Sequence, residues 1–333
     1  MRWSYGFGKG MRRALLVSVA VLAQYLVVAQ PGTGEHEGNR DELRKRTLLT
    51  VVAAVALVVL LVLIAGLVTW AATGERRPAS PSDGGDFASV SAGAEHTCGL
   101  KSDGVVVCWD SFGRTTWLGT DFVSVTAGWA HACGFQRDGY LVCWGNDGQG
   151  RTTSLRGGFV SASAGANFTC GLRRDGTVTC WGANVYGQTA PPDGEFVSVV
   201  AGGHHACGLG SDGSISCWGR NGSGQVTPPE GAFSSIGAGA EHTCAVKRDG
   251  SLACWGADDH GQATAPKGEF VSVSAGAEHT CGLTTGGRVV CWGASTYASN
   301  APGGDRFVAV SAGLRHTCAL KDNGDVTCWG EGW

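Results

Sequence analysis

The sequence predicts an all-β protein, a seven-bladed β-propeller of about 37-residue repeats, preceded by a transmembrane helix. Three observations predict it. The fourteen cysteines form seven equally spaced pairs: Cys98/Cys108, Cys133/Cys143, Cys170/Cys180, Cys207/Cys217, Cys244/Cys254, Cys281/Cys291 and Cys318/Cys328. Their first members recur after 35 residues and then at five intervals of 37. Every unit repeats one pattern of short alternating segments. Self-similarity at this period signals a solenoid, a propeller or an array. Seven units of three or four strands each favour the propeller.

The template is clean over residues 270–302. It opens with the alternating segment Phe270-Val-Ser-Val-Ser-Ala-Gly276 and continues with His279-Thr-Cys-Gly-Leu283. A polar turn follows, then a strand ending in Cys291-Trp292-Gly293, then a loop. Other copies place Gly-Gln and proline in that loop, as in Gly187-Gln188-Thr-Ala-Pro-Pro192. Alternation and the wealth of Val, Thr and aromatic residues mark these segments as strands.

The turn sets the pairing. Between paired cysteines stand Asp103-Gly104, Asp138-Gly139, Asp175-Gly176, Asp212-Gly213, Asp249-Gly250, Gly286-Gly287 and Asn323-Gly324. A three-residue loop with a left-handed glycine fits this spacing. Lys101 then faces Val105, Leu100 faces Val106 and Cys98 faces Cys108. The cysteines fall in a non-hydrogen-bonded pair, where Cα atoms approach to about 4.5 Å, within disulfide reach. Reduced buried thiols or a metal site are the alternatives. The latter lacks the tight Cys-x2-Cys knuckle of zinc sites. Alternation puts Trp109 on the face opposite Cys108.

These residues carry a family resemblance. Ala-Gly-x-x-His before a short strand, the Asp-Gly turn, Trp-Gly after the next strand, and Gly-Gln followed by Pro resemble the regulator-of-chromosome-condensation repeat. The resemblance runs over residues 87–333. The cysteine-bearing variant is similar to extracellular members, including the crinkly-type repeats of plant receptor kinase ectodomains. The Gly-Gln-Thr-Ala-Pro loop is also similar to that of secreted bacterial propellers that inhibit β-lactamases. The stretch 78–86 aligns with 190–195, which predicts that residues 76–86 complete the last blade and close the ring.

The chain divides into a cytoplasmic segment at 1–46, a transmembrane helix at 47–72, a linker and ring-closing strand at 73–86, and the propeller at 87–333. Residues 47–72 carry no charge and are long enough to span a bilayer. Arg40, Arg44, Lys45 and Arg46 precede them, against Arg76 and Arg77 after. The positive-inside rule then exports the propeller, in agreement with disulfides. The apolar stretch 14–30 is a signal-peptide core, a first membrane helix or an interfacial segment.

Charge excludes some functions. Residues 78–333 hold fifteen Lys/Arg against twenty-three Asp/Glu, a balance of −8. No basic stripe is present for phosphate contacts, so no nucleic-acid partner is expected. Nucleotide exchange on a cytosolic GTPase, which the resemblance also implies, is the alternative function; a propeller enzyme of unknown chemistry is a second. No nucleophile elbow or phosphate loop appears, and no cofactor or metal is expected. His96, His131, His205, His242, His279 and His316 recur two residues before the first cysteine. Phe168 takes that place in the third unit and interrupts any metal ring. A buried imidazole there ties one backbone turn to the next.

Scaffold positions repeat, so departures mark surface free to bind a protein or glycan. Two regions vary. One is the pair between Ala-Gly and His, with Trp129, His204 and Arg315. The other is the loop after Trp-Gly, with Phe112 and Trp117 inside 110–120, and Tyr186, His260 and Tyr297 elsewhere. Exposed aromatics and arginine are the usual anchors of interfaces, and loops on a rigid scaffold carry recognition.

Overall fold

A computed structural model describes residues 85–298, 302–331 and 333. The membrane helix at 47–72, the apolar stretch at 14–30 and most of the 73–86 linker lie outside the described residues. Among the described residues, no helix is long and apolar enough to cross a membrane. The propeller belongs to a compact unit spanning Arg76–Trp333.

Seven antiparallel sheets follow one another, one for each repeat. Blade 1 contains β1 (Phe87–Ala92), β2 (His96–Lys101), β3 (Val106–Asp110) and β4 (Thr115–Leu118), hydrogen-bonded in that order. Blade 2 contains β5 (Phe122–Ala127), β6 (His131–Gln136), β7 (Tyr140–Gly145) and the short β8 (Leu155–Arg156). The other five sheets have three strands each among the described residues, and their first strands begin at Phe159, Phe196, Phe233, Phe270 and Phe307.

The hairpin register is the one the turns dictate. Leu100 pairs with Val106 and Cys98 with Cys108. The Gly104 N–H donates to the Lys101 carbonyl at 3.0 Å, the Asp103 carboxylate accepts from Val105 N–H at 3.0 Å, and Gly104 has φ +87°.

All seven cysteine pairs are disulfides within their own blades: Cys98–Cys108, Cys133–Cys143, Cys170–Cys180, Cys207–Cys217, Cys244–Cys254, Cys281–Cys291 and Cys318–Cys328. No described cysteine is free. Two details differ from the sequence reading. The Cα atoms stand 4.0–4.1 Å apart, closer than the expected non-hydrogen-bonded pair. The two cysteines of a pair are also not equivalent. Every first cysteine is buried, whereas Cys180, Cys217, Cys254 and Cys291 are only half-buried. The cause is strand order, since the second cysteine sits on the outermost strand of a three-stranded sheet. In blades 1 and 2 a fourth strand or its approach covers that position. Cys108 pairs with Thr116, the Cys143 N–H donates to Ser154 Oγ at 3.1 Å, and both cysteines are buried. Cys328 is buried as well, in the cluster of the closing joint.

Alternation gives every blade two unlike faces, and these build the joints. The face of blade 1 with Cys98, Leu100, Val106 and Cys108 packs against Phe122, Ala127 and Ala132 of blade 2. The face with Phe87, Val107 and Trp109 packs against Cys318, Leu320 and Cys328 of blade 7, which closes the ring. Within five of the blades the first-strand Phe lies over a glycine of the second strand, and in blades 5 and 7 that residue is Ala245 or Ala319. A Cβ at Gly99 would stand 2.5 Å from the Phe87 ring.

Polar belts run around the same ring. Six of the seven Ala-Gly glycines offer their carbonyl to the preceding blade, as in Ala94 N–H to Gly128 at 3.2 Å and Leu314 N–H to Gly93 at 2.9 Å. The approach needs glycine, since a Cβ on Gly93 would lie 2.3 Å from the Gly128 oxygen. The Ala92 N–H donates to Ser311 Oγ, and Phe87 N–H to the Gly324 carbonyl, both across the closing joint. Residues 85 and 86 form no strand. The rest of the 76–86 stretch lies outside the described residues.

The histidines join blade to blade, where the sequence suggested turn to turn. His131, His205, His242, His279 and His316 place Nε2 at 2.7–2.8 Å from Thr169, Thr243, Thr280, Thr317 and Thr97 of the next blade. The hydroxyls of Thr169, Thr243 and Thr280 donate to the carbonyls of Arg151, Gln225 and Gln262. Those three therefore accept from the imidazole, so His131, His205 and His242 carry the proton on Nε2. Where the next blade has alanine the pattern changes: Phe168 stands against Ala206 of blade 4, and His96 meets Ala132 of blade 2.

Candidate functional site

The antiparallel meander sorts the loops onto two faces. Turns between second and third strands, with their Asp-Gly pairs, lie on one. Turns between first and second strands, and the loops after third strands, lie on the other, here called the upper face. Both variable regions therefore fall on the upper face. Hydrogen bonds fasten them together: Arg220 N–H donates to the His204 carbonyl and Ala257 N–H to the Glu241 carbonyl, each at 2.9 Å.

Three of the sequence-selected residues meet. Trp129 of blade 2, Tyr186 of the blade 3 loop and His204 of blade 4 form one cluster. The His204 ring lies 6.3 Å from Trp129 and 5.4 Å from Tyr186, centroid to centroid. Arg220 stands over Tyr186 at 5.7 Å and pairs with Glu241, which also accepts from Ser223 Oγ at 3.2 Å. Trp129 and Tyr186 are 36% and 48% exposed, a large share for rings of this size. Burial, aided by Arg220, pushes His204 below the usual histidine range, so its imidazole is neutral at neutral pH. The cluster is an amphipathic aromatic patch edged by an ion pair.

The remaining candidates are dispersed. Phe112 is 82% exposed at the tip of the β3–β4 turn. Trp117 does not sit in a loop, because residues 115–118 form β4 and Trp117 pairs with Val107. The reason is local: the run Thr-Thr-Trp-Leu favours strand, and the Asp110 carboxylate folds the turn by accepting from Phe112 and Arg114 N–H at 3.0 Å. The Trp117 side chain lies outside the described residues. Tyr297 sits in the one-turn helix α1 (Ser295–Ala298), half-buried with its ring 5.9 Å from His279, and so is less available than a loop residue. His260 faces Glu278 at 3.6 Å, and Arg315 faces Glu331 at 3.3 Å.

The cysteines take no part in this patch. Cys143, Cys180 and Cys254 belong to the apolar joints, where Cys143 packs with Leu141 and Phe159, Cys180 with Leu172 and Phe196, and Cys254 with Val246 and Phe270. Bonded sulfurs in such surroundings are scaffold and neither nucleophiles nor metal ligands.

Sequence reasoning missed Arg220 and Glu241. Glu241 occupies the same variable pair as His204, and Arg220 directly follows Trp218-Gly219, so the repeat alignment held the signal. Among the described residues four arginines lie on this face, and all are bonded within the protein. Arg114 pairs with Asp110, Arg220 with Glu241 and Arg315 with Glu331, while Arg151 binds Asn146, Asn167 and the Ala166 carbonyl. Such a face suits an uncharged or mixed-charge partner better than a phosphate backbone.

Comparison with known proteins agrees with this architecture. No match was found among curated protein sequences. Among solved structures, the chain is similar to the entire ectodomain of the receptor kinase CR4 from Physcomitrella patens. Identity is 29% and the TM-score 0.62, over 74% of this chain and 74% of that one. It is equally similar to the CRINKLY WD40 ectodomain of the receptor kinase ACR4 from Arabidopsis thaliana, with 29% identity and a TM-score of 0.63 over 75% and 97% of the two chains. Prp20p from Saccharomyces cerevisiae, described with its binding to Gsp1p and histones, shares the fold at 17% identity and a TM-score of 0.59, over 72% and 81%. The family described as regulator of chromosome condensation (RCC1) repeat matches residues 87–109, 122–151, 159–188, 196–225, 233–262, 270–298 and 307–332. With seven matched repeats over more than half of its length, the chain belongs to the regulator-of-chromosome-condensation repeat family.

Proposed function

We propose that the protein is a membrane-anchored, exported propeller that binds a protein partner through its upper face. Residues 1–46 lie in the cytoplasm, 47–72 cross the membrane, 73–86 link, and 87–333 form the binding module. The convergence of Trp129, Tyr186 and His204 carries the reading. Three residues that depart from the repeat template, from three different blades, build one exposed aromatic patch on a rigid ring. Rigid aromatic anchors lose little entropy on binding. Seven disulfides support an oxidising compartment, as does the likeness to two receptor kinase ectodomains. A GTPase regulator in the cytosol would have to keep fourteen thiols reduced, and the yeast relative is too distant to lend its partners.

The test is capture by the full chain in its native membrane, with covalent cross-linking. The unaltered protein retains a protein partner, and Trp129→Ala with Tyr186→Ala loses it. Free thiols in the native protein, or capture that ignores both substitutions, would overturn the reading.

A further inference from the structure

Blade 1 departs from the joint that follows blades 2 to 5. In blades 2 to 5 the loop after the third strand passes inward and fills the space before the next blade. Gln188, Gln225 and Gln262 are buried there, at 1%, 0% and 3% exposure. Each Gln side-chain oxygen accepts a loop N–H at 2.8–2.9 Å. Each Gln main-chain carbonyl accepts the indole N–H of the next blade, from Trp218, Trp255 and Trp292, at 2.8–3.0 Å. Arg151 serves Trp181 in the same way at 3.2 Å.

Blade 1 has no such loop. The residue after its Cys-Trp pair is Asp110, where the six other copies have glycine with φ between +102° and +121°. Asp110 closes a tight turn with Arg114, and the chain doubles back as β4. Position 132 of blade 2 is alanine where Thr169, Thr243 and Thr280 stand in later blades, so His96 has no hydroxyl to bond. A cleft of about 420 Å³ remains, lined by His96, Asp110, Arg114, Thr116, Ala132 and Trp144 among others. Trp144 is half-buried and finds no loop carbonyl for its indole N–H among the described residues.

We propose that this cleft binds a peptide loop of a partner protein that presents a Gly-Gln turn. The sister joints show what chemistry fills the same space: a main-chain carbonyl for the indole, and an amide side chain that folds back on its own backbone. The open joint offers the indole donor of Trp144, the imidazole of His96 and the Asp110–Arg114 pair at its rim. The inference does not depend on the Trp129 patch, and either can fail while the other holds.

The probe is a ten-residue peptide copying residues 183–192, Ala-Asn-Val-Tyr-Gly-Gln-Thr-Ala-Pro-Pro. It is titrated into the full chain while the Trp144 indole N–H resonance is followed. Saturable binding that shifts this resonance is expected. Replacing the peptide glutamine by alanine, or Trp144→Phe in the protein, should each weaken binding roughly three- to tenfold, the worth of one hydrogen bond. Thr116→Trp should abolish it by filling the cleft. If Trp144→Phe lowers the melting temperature, the glutamine-to-alanine peptide against the unaltered chain decides. The proposal falls if no saturation is reached at millimolar peptide, if binding ignores both protein variants, or if oligosaccharides and not peptides move the Trp144 resonance.

Discussion

The smallest recurring device is the imidazole–hydroxyl link between blades. Thr280 accepts from His242 at 2.7 Å and donates to the Gln262 carbonyl at 2.9 Å, all in buried space. Thr280→Ala leaves the buried His242 Nε2–H without a partner, while the Gln262 carbonyl keeps the Trp292 indole N–H. The expected cost is about 1–3 kcal/mol, read from chemical denaturation. The same imidazoles make stability depend on pH. Burial pushes His131, His205 and His279 down to about 4, and His242 and His316 to about 3. The unfolded chain takes up these protons below pH about 6.5, which the folded ring refuses until pH 4 or lower. Stability is therefore full above pH about 6.5 and falls as pH drops towards 4. The melting temperature should decline across that window. The double change His205→Phe with Thr243→Ala, which copies Phe168 and Ala206, should make the decline shallower.

At the scale of elements, the unit is a hairpin stapled to itself. Cys207 and Cys217 close a loop of about 11 residues, so Cys207→Ala with Cys217→Ala should cost about 2–3 kcal/mol in reversible unfolding. Gly250, at φ +84° in the turn, should cost about 1 kcal/mol when changed to alanine. The larger disulfide figure says the staple, more than the turn, holds each hairpin once formed. These elements were legible because turn residue and spacing fix the register locally. The uneven burial of the staples was not, since it depends on whether a further strand covers the third. β4 was not legible either. It rests on the Thr-Thr-Trp-Leu run together with a turn that only the folded hairpin shows, the Asp110 carboxylate capping Phe112 and Arg114.

The whole molecule has no terminal repeat. Phe87 packs on Trp109 and on Leu320 and Cys328 of the last blade, just as Phe270 packs on Cys244 and Val246 of the blade before it. In an open stack, truncating a residue of the first repeat would cost less than truncating one inside the array. In a closed ring Phe87→Ala and Phe270→Ala should cost alike, about 3–5 kcal/mol each, by calorimetry or denaturant titration. Closure also sets what can serve as a site. The upper face gathers loops from every blade, so residues 57 and 75 positions apart, Trp129 to Tyr186 and His204, meet in one patch.

The repeat, the count of seven, the hairpin register and the cysteine pairing all follow from the chain read alone. Each rests on local periodicity, the turn glycine and the alternation of side chains, which act within one unit. The same reading marked the variable positions that contain Trp129, Tyr186 and His204. It took the folded ring to bring these three together while Phe112, His260, Tyr297 and Arg315 stand apart, to set the histidines between blades, and to leave a cleft between blades 1 and 2. Contacts between blades join residues about one repeat or more apart, and the path of the chain around the ring, not any local pattern, brings them together.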